Sequence, residues 1–303
     1  MADKQDTLGA KKIIKSWSNG KLVRGRRRLD SLNVGLNYAQ AVWEGMRSFK
    51  QIDGTTKIFQ LEDHIYRLFK SAKVQGIRIP YDVKDIINGC NILVNACGGG
   101  DLYIRPIAYI DSDCSEIRQD FKVSVDIHAF EMTSITVDVK AIISSHSRSY
   151  PEYDMQSKCS ANYNKIFKMF EEAERANADV VLVTDKNGYI VEAIAANIFI
   201  QKGDVIITPP DNGSILPGIT RRTVVEILQD PLLFAKHQKT CMVAVKELTK
   251  ADLYTADGIF LTNTRDGIVN VSEVDGKKIG LGKDNFYYKY IKNTYSNLIR
   301  GKK

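Results

Sequence analysis

The chain has 303 residues, of which 44% are hydrophobic and 26% are charged, and its formal net charge is +7. This length allows a large buried core and suggests about two domains. The positive charge is spread along the sequence apart from one dense run, Arg24 with residues 26–28, which lacks interleaved aromatic residues and so favours a solvated or interface-facing surface over a nucleic-acid site.

Cysteine and histidine usage argues against disulfides and metal sites. The five cysteines show no CxxC spacing, and their odd number favours a reducing compartment. The four histidines form no i,i+4 pair, so no metal is expected. No apolar run approaches the length of a membrane span, and the N-terminus mixes acids and bases without the apolar core of a signal peptide. We therefore expect a cytoplasmic protein without membrane or nucleic-acid partners.

Hydrophobic periodicity predicts alternating strands and helices in the first half of the chain. The predicted elements are a hairpin over residues 15–23, two strands within 45–60, helices over 61–75 and 83–97, and strands over 102–110 and 121–128. The first helix places Leu61, Ile65, Leu68 and Ala72 on one buried face, with Arg67 at its flank.

A domain boundary is predicted near residues 129–133, which divides the chain into a small N-terminal α/β domain over 1–130 and a larger domain over 134–303. Lys158 lies just ahead of a helix that is indicated by Tyr163, Ile166, Phe167 and Phe170 at helical spacing. Before Lys158, the pattern predicts an apolar strand over 135–143 and a polar loop over 144–150 that ends at Pro151. After it, a hairpin is predicted over 179–200, with Glu192 at the start of its returning strand, and a helix from Gly218 to Pro231. The last predicted elements are a strand over 258–262, a polar turn over 263–267, a hairpin at Asp275-Gly276 and a helix over 284–300.

Three features of the second half point to one kind of chemistry. A helix that opens on Gly218-Ile219-Thr220 offers backbone amides and a dipole to a phosphate, to which Arg67 and Thr264 are candidates to add donors. A lysine, a phosphate cradle and a carboxylate such as Glu192 are the groups that pyridoxal phosphate requires. Each feature alone has an ordinary explanation, namely a turn-to-helix junction or a solvated charge.

Six segments in order along the chain resemble the fold-type IV pyridoxal-phosphate enzymes, and within them the branched-chain amino-acid aminotransferases. The segments are Tyr38 with Trp43-Glu44-Gly45-Met46-Arg47, Asp63-His64-Ile65-Tyr66-Arg67-Leu68, Tyr103-Ile104-Arg105-Pro106, Lys158 with Asn162-Tyr163, Glu192 with Asn197, and Leu216-Pro217-Gly218-Ile219-Thr220-Arg221.

The resemblance implies a two-domain α/β (α+β) architecture, with pyridoxal 5'-phosphate between the domains and a homodimer completing each site. It implies transamination between leucine, isoleucine or valine and 2-oxoglutarate, with Lys158 as the Schiff-base lysine that also moves the proton. The implied cofactor-binding residues are Arg67, Lys158, Tyr163, Glu192, Gly218, Ile219, Thr220 and Thr264. The implied substrate-binding residues are Tyr38, Trp43, Gly45, Tyr103, Arg105 and Arg265.

Two segments depart from the family pattern. Residues 193–196 replace a glycine and a second glutamate, and Asn263, Thr264, Arg265 and Asp266 stand where small residues are usual. Arg265 either strengthens binding of the substrate α-carboxylate, or narrows the pocket, or points to solvent. The alternatives that remain are a D-amino-acid or amine transaminase, a lyase of the same fold, and a non-catalytic relative that binds phosphate or nucleic acid. Gly45 and Arg105 favour the branched-chain interpretation.

Overall fold

A computed structural model describes residues 10–25, 27–112, 121–132, 135–148, 155–230, 234 and 239–302. The chain divides into two compact units. The first unit comprises Met1–Ile135, Ser157–Tyr163 and Ile299–Lys302, and the second comprises Thr136–Gln156 and Asn164–Leu298.

The described residues of the first unit form a seven-stranded antiparallel sheet. Its elements are β1 (Ala10–Ser18), β2 (Lys21–Val23), α1 (Val34–Asn37), β3 (Ala41–Trp43), β4 (Met46–Lys50), β5 (Thr56–Ile58), α2 (Leu61–Val74), α3 (Val83–Ala96), β6 (Leu102–Ile110) and β7 (Val123–Met132). The strand order is β2-β1-β7-β6-β4-β5, and β3 also pairs with β6. The elements predicted for this half are therefore present.

The core of the first unit lies between this sheet and the apolar faces of α2 and α3. Ile65, Leu68 and Ala72 of α2 are buried there, as the spacing of apolar residues predicted. Asp82 begins α3 with a reciprocal capping box to Asp85, which satisfies backbone donors at the helix start.

The described residues of the second unit form nine strands. Its elements are β8 (Asp138–Ser147), α4 (Ile166–Arg175), β9 (Val180–Thr184), β10 (Ile190–Ala193), β11 (Ala196–Lys202), β12 (Val205–Thr208), α5 (Ile219–Leu228), β13 (Met242–Val245), α6 (Lys250–Tyr254), β14 (Gly258–Asn263), β15 (Gly267–Val274), β16 (Lys277–Lys278) and α7 (Phe286–Leu298). The strand order is β10-β9-β8-β15-β14-β11-β12-β13, with β16 on β15. Because β10 also pairs with β11, six of these strands close into a ring.

Successive residues of β9 serve two cores, because side chains alternate along a strand. Leu182 belongs to the cluster inside the strand ring, whereas Val181 and Val183 pack with Met169 and Ala173 of α4. The buried face of α4 therefore differs from the apolar pattern that predicted the helix. Phe167 and Phe170 belong to that pattern but are 76% and 46% exposed.

Three boundaries differ from the sequence prediction. The strand predicted over 189–200 is two strands, β10 and β11, which pair with each other so that Glu192 lies opposite Asn197. β7 continues to Met132 because its pairing with β6 extends to Glu131, and the division between the two units falls after Ile135, close to the boundary predicted near 129–133. β8 continues to Ser147 through the predicted polar loop. Arg148 of that loop is described, whereas its residues 149–150, Thr133 of the boundary region, Pro151 and Pro231 lie outside the described residues.

The segment Ser157–Tyr163 groups with the first unit, although the division predicted from sequence placed Lys158 in the second. Hydrogen bonds explain this grouping. The Trp43 amide donates to the Lys158 carbonyl at 3.1 Å, and the Lys158 amide donates to Ser71 Oγ at 2.9 Å. Cys159 also forms a β-bridge with Val42. A short 3₁₀ helix over Ser160–Tyr163 follows the lysine.

Candidate active site

The amine of Lys158 is held by two aromatic residues of the first unit. Its Nζ donates to the Tyr163 hydroxyl oxygen at 3.0 Å and lies 3.9 Å from the centroid of the Trp43 ring. Asn162 is buried and donates from Nδ2 to the Ser157 carbonyl at 2.8 Å, which fixes the turn that follows the lysine. The amine therefore has a defined position, which is what a group that exchanges a proton with a neighbour requires.

Trp43 also contacts Arg105 from the adjacent strand. The guanidinium carbon of Arg105 lies 4.0 Å from the Trp43 ring centroid, so the Arg105 guanidinium and the Lys158 amine contact the same indole. The register of β3 against β6 places Trp43 opposite Ile107, two residues from Arg105. The structure thus brings together four of the predicted site residues, namely Trp43, Arg105, Lys158 and Tyr163.

Arg67 is bound by a buried carboxylate that was not among the predicted site residues. Its Nε donates to Glu44 Oε1 at 2.6 Å and its Nη2 donates to Glu44 Oε2 at 2.8 Å. His64 Nδ1 lies 2.9 Å from Glu44 Oε2. Burial raises the pKa of Glu44, but the charge and hydrogen bonds of Arg67 and those of His64 outweigh this effect and bring it to about 2. Burial lowers the pKa of His64. Glu44 is therefore ionised at neutral pH.

Gly45 allows the Tyr103 ring to approach the backbone. A Cβ atom at this position would overlap the Tyr103 hydroxyl, so a larger residue would require the ring to move. Tyr103 also packs against Phe130, with ring centroids 6.0 Å apart. Tyr38 follows α1 and is 44% exposed, which places it at the surface of the first unit.

In the second unit, Glu192 is a buried carboxylate with several donors. Its Oε2 accepts hydrogen bonds from Asn197 Nδ2 at 3.1 Å and from the Leu216 amide at 3.2 Å. The guanidinium of Arg148, itself buried, places Nη1 3.7 Å from Glu192 Oε1 and donates to the Ile194 carbonyl at 3.3 Å. A buried charge with such partners is held in one orientation.

The start of α5 is built around Asn197. Its Nδ2 donates to the Leu216 carbonyl at 3.0 Å, and its Oδ1 lies so close to Gly218 that a Cβ atom there would overlap it. Gly218 occupies the N-cap position without a side-chain cap, and α5 begins at Ile219. Backbone amides in the first turn, together with the buried Thr220, suit an anion such as a phosphate.

The turn between β14 and β15 holds Arg265 by local ion pairing. The Asp266 amide donates to Asn263 Oδ1 at 2.7 Å, and Asp266 Oδ1 accepts from the Thr136 amide at 3.1 Å. Arg265 Nη1 lies 3.5 Å from Asp266 Oδ2, and its side chain is 23% exposed. Arg265 is therefore partly buried and paired within its own turn, and its role towards the substrate stays a prediction. Thr264 lies half-buried in the same turn.

Three residues at these positions were missed as site residues by the sequence analysis. Glu44 and Asn197 lie within the segments that carry the resemblance, but their spacing gave no sign of a buried partner. Arg148 gave no signal, since a single arginine within a predicted polar loop resembles a solvated charge. Among the described residues, no group of three or more His, Cys, Asp or Glu is placed to hold a metal ion.

Each unit, taken by itself, contains groups of the kind that pyridoxal phosphate needs. The first unit has a positioned lysine amine and an oriented arginine. The second unit has a buried carboxylate and a helix start whose N-cap is a glycine without a side-chain hydrogen bond. An amine for the imine, an acid partner for the ring nitrogen and donors for the phosphate are the groups that this cofactor needs.

Comparison with known proteins gives consistent matches over most of the chain. The family model described as "Amino-transferase class IV" matches residues 41–274. A branched-chain-amino-acid aminotransferase of Pseudomonas aeruginosa is 31% identical, over 94% of this chain and 93% of the relative.

Two solved structures are similar over nearly their whole length. A branched-chain aminotransferase of Thermoproteus uzoniensis, solved with norvaline, has a TM-score of 0.85, is 29% identical, and covers 96% of both chains. A branched-chain amino acid aminotransferase of Escherichia coli has a TM-score of 0.84 and is 27% identical, over 96% of this chain and 95% of that chain.

Proposed function

Because the chain belongs to the class IV aminotransferase family, we propose that it transfers amino groups between branched-chain L-amino acids, namely leucine, isoleucine and valine, and 2-oxoglutarate. The family match confirms the resemblance drawn from the six sequence segments and the mixed α/β fold class. The protein is a pyridoxal-phosphate-dependent aminotransferase.

The observation that supports this proposal best is the position of the Lys158 amine. Pyridoxal phosphate, when bound, withdraws electrons from the amino acid and so stabilises negative charge at the α-carbon. Lys158 would move the proton between the substrate α-carbon and the carbon of the cofactor that carries the amino group, a role that requires the amine to be held in a fixed position. Lys158 Nζ lies 3.0 Å from the Tyr163 hydroxyl oxygen and 3.9 Å from the Trp43 ring centroid. The base is therefore already in position, so the reaction carries no entropic cost of ordering it.

The remaining roles follow from charge and burial. Glu192 is a buried carboxylate that holds a proton on the cofactor ring nitrogen, which strengthens the electron-withdrawing effect. Arg67, the amides at the start of α5 from Gly218 to Thr220, and Thr264 bind the phosphate.

One substrate pocket must accept both an aliphatic side chain and the distal carboxylate of glutamate. Arg105 pairs with that carboxylate when glutamate or 2-oxoglutarate is bound. When leucine is bound, the guanidinium keeps its contact with the Trp43 ring, 4.0 Å away, so the cation is not left without a partner. Tyr38, Gly45, Tyr103 and Arg265 complete the predicted set of substrate-binding residues.

A panel of amino donors against 2-oxoglutarate tests the proposal. We expect leucine, isoleucine and valine to be the preferred donors, and a purified protein that carries the cofactor to be yellow. A preference for D-alanine or for simple amines would replace the branched-chain assignment by a D-amino-acid or amine transaminase. A colourless protein with no transamination in the presence of added pyridoxal phosphate would contradict the enzymatic assignment.

We also propose that the protein is a cytoplasmic homodimer. Buried free thiols at Cys90 and Cys159 suit a reducing compartment. In the described part of the chain, no helix is sufficiently long and apolar to cross a membrane. Sedimentation velocity at micromolar concentration measures the oligomeric state, and a monomer that is fully active would contradict the dimer.

A further inference from the structure

The carboxylate of Glu44 is fully committed to two neighbours of the first unit. Its Oε1 accepts from Arg67 Nε at 2.6 Å, and its Oε2 lies 2.8 Å from Arg67 Nη2 and 2.9 Å from His64 Nδ1. A bidentate arginine–carboxylate pair fixes the plane of the guanidinium as well as its distance. Glu44 is 0% exposed, whereas 11% of the Arg67 side chain remains accessible.

Stability alone does not account for this buried ion pair. Removing two charges from water costs several kcal/mol per ion, so buried pairs often contribute no more stability than apolar residues of the same volume. The oriented arginine is therefore a candidate for a role beyond stability. Glu44 accepts hydrogen bonds from two of the five N–H groups of the Arg67 guanidinium. Because the guanidinium is planar, these two bonds also fix the plane in which its other N–H groups lie.

The backbone of Glu44 is itself rigidly placed. The Glu44 amide donates to the Pro106 carbonyl at 2.9 Å, and the preceding Trp43 amide donates to the Lys158 carbonyl at 3.1 Å. Gly45 on the other side is closed in by the Tyr103 ring. The carboxylate therefore projects from a short segment that the surrounding strands hold on both sides, and Arg67 is oriented relative to that segment.

We propose that Glu44 is a positioning residue that orients the Arg67 guanidinium for the phosphate of pyridoxal phosphate. This inference rests on the proposed role of Arg67 as a phosphate ligand. Glu44 does not contact the cofactor; it acts through Arg67, and His64 supports it by a further hydrogen bond. Loss of Glu44 should therefore weaken the binding of pyridoxal phosphate specifically. Pyridoxal lacks the phosphate, so its binding does not depend on the orientation of Arg67.

The experiment compares the binding of pyridoxal phosphate and of pyridoxal to the full-length protein, by titration of the absorbance of the bound ligand. In Glu44→Gln we expect the dissociation constant for pyridoxal phosphate to rise about tenfold or more, which is about 1.4 kcal/mol, while that for pyridoxal changes by less than about twofold. Glu62→Gln is the matched control, since Glu62 is an exposed acid in the first turn of α2. It should leave both constants unchanged.

Two further variants keep the test decisive. Glu44→Asp retains the charge with a shorter side chain, so it should weaken phosphate-dependent binding less than Glu44→Gln and serves if the latter does not fold. In the Arg67→Ala background, Glu44→Gln should have no additional effect on pyridoxal phosphate, because the group through which it acts is absent.

The outcomes separate this inference from the proposed function. Equal weakening of pyridoxal phosphate and pyridoxal, or no weakening of either, in both Glu44 variants would overturn the positioning role and indicate a purely structural one. If Arg67→Ala bound pyridoxal phosphate as tightly as the wild type, the assigned role of Arg67 would fail and the positioning role with it. Weakening by Arg67→Ala without any weakening by the Glu44 variants would overturn the role of Glu44 alone.

Discussion

The guanidinium of Arg105 lies against the face of Trp43, 4.0 Å from its ring centroid, and the same ring contacts the Lys158 amine at 3.9 Å. A cation against an indole gains on the order of 1 kcal/mol. The residue assigned to substrate choice and the residue assigned to proton transfer therefore share one aromatic neighbour.

Replacing Arg105 should separate the two substrates. In Arg105→Ala, we expect the half-reaction with glutamate to slow by about 30-fold or more, because its distal carboxylate loses a charged hydrogen-bond partner. The half-reaction with leucine should change by less than about threefold, because an aliphatic side chain makes no such bond. Single-turnover measurements with each amino acid test this, with the exposed Arg78→Ala as control. Equal losses for glutamate and leucine would make the distal-carboxylate role untenable.

Lys158→Ala should abolish turnover while leaving the phosphate site intact. The variant lacks the base for proton transfer at the α-carbon, so we expect the rate to fall by about 10³-fold or more. Binding of pyridoxamine phosphate, measured by equilibrium dialysis, should change far less, since it depends on the phosphate donors. Lys168→Ala, on the exposed side of α4, is the control. Full transaminase activity in Lys158→Ala would remove the basis of the proposed mechanism.

Glu192→Gln should lower the rate of the chemical step more than the affinity for the cofactor. A neutral amide cannot stabilise a proton on the ring nitrogen as a carboxylate does, so the electron-withdrawing effect is weakened. We expect single-turnover rates to fall by about 100-fold. Arg67→Ala should show the reverse pattern, with weakened cofactor binding and a smaller effect on the saturated rate. Glu226→Gln, on the exposed face of α5, is the control. An unchanged single-turnover rate in Glu192→Gln would contradict the assignment.

The sequence predicted local elements well where periodicity decides the structure. The apolar spacing of Ile65, Leu68 and Ala72 gave both the extent of α2 and its buried face. The same periodicity did not identify the buried face of α4, because apolar residues occupy more than one side of that helix. Met169 is buried and Phe167 is exposed, and periodicity alone does not say which apolar stripe meets the core.

Contacts between distant residues could not be predicted from local patterns. Glu44 and Arg67 are 23 positions apart, and nothing in the spacing of either indicates that they form a buried pair. The grouping of Lys158 with the first unit depends on its hydrogen bond to Ser71 and on the bridge between Val42 and Cys159. The break between β10 and β11 was missed because the turn after Ala193 contains no glycine, proline or asparagine.

The residues of the candidate site were named from a family resemblance, and their individual roles remain predictions. The structure places Lys158 beside Tyr163 and Glu192 beside Asn197, which are contacts that the resemblance did not specify in geometric terms. Before any resemblance, local patterns indicated a lysine ahead of a helix, a carboxylate at a strand start and a phosphate cradle at the start of α5, and only the cradle has a chemistry that follows from local structure.

Acid should weaken the first unit through Glu44 and His64. The pKa of Glu44 is about 2 in the folded protein, whereas a free glutamate has a pKa of about 4.3. The folded state thus binds fewer protons, so the stabilisation is present above about pH 4.3 and is lost as the pH falls towards 2. His64 acts in the same direction, because burial lowers its pKa and the unfolded chain is protonated first.

The measurement is the urea midpoint of the wild type and of Glu44→Gln as a function of pH. Their difference should be largest near neutral pH and should shrink steadily below about pH 4, because protonated Glu44 resembles glutamine. Glu62→Gln should run parallel to the wild type throughout. A difference between wild type and Glu44→Gln that is independent of pH would show that the charge on Glu44 does not contribute to stability.

The close approach of Gly45 and Tyr103 leads to a paired substitution. In Gly45→Ala the new methyl group overlaps the Tyr103 hydroxyl, so the ring must shift within a packed site, and we expect a loss of about 1–3 kcal/mol in the free energy of unfolding. Tyr103→Phe removes the overlapping oxygen, so the double variant should recover part of that loss. Urea denaturation of the four proteins measures this coupling. Additive effects of the two substitutions would mean that the hydroxyl does not determine the need for glycine at this position.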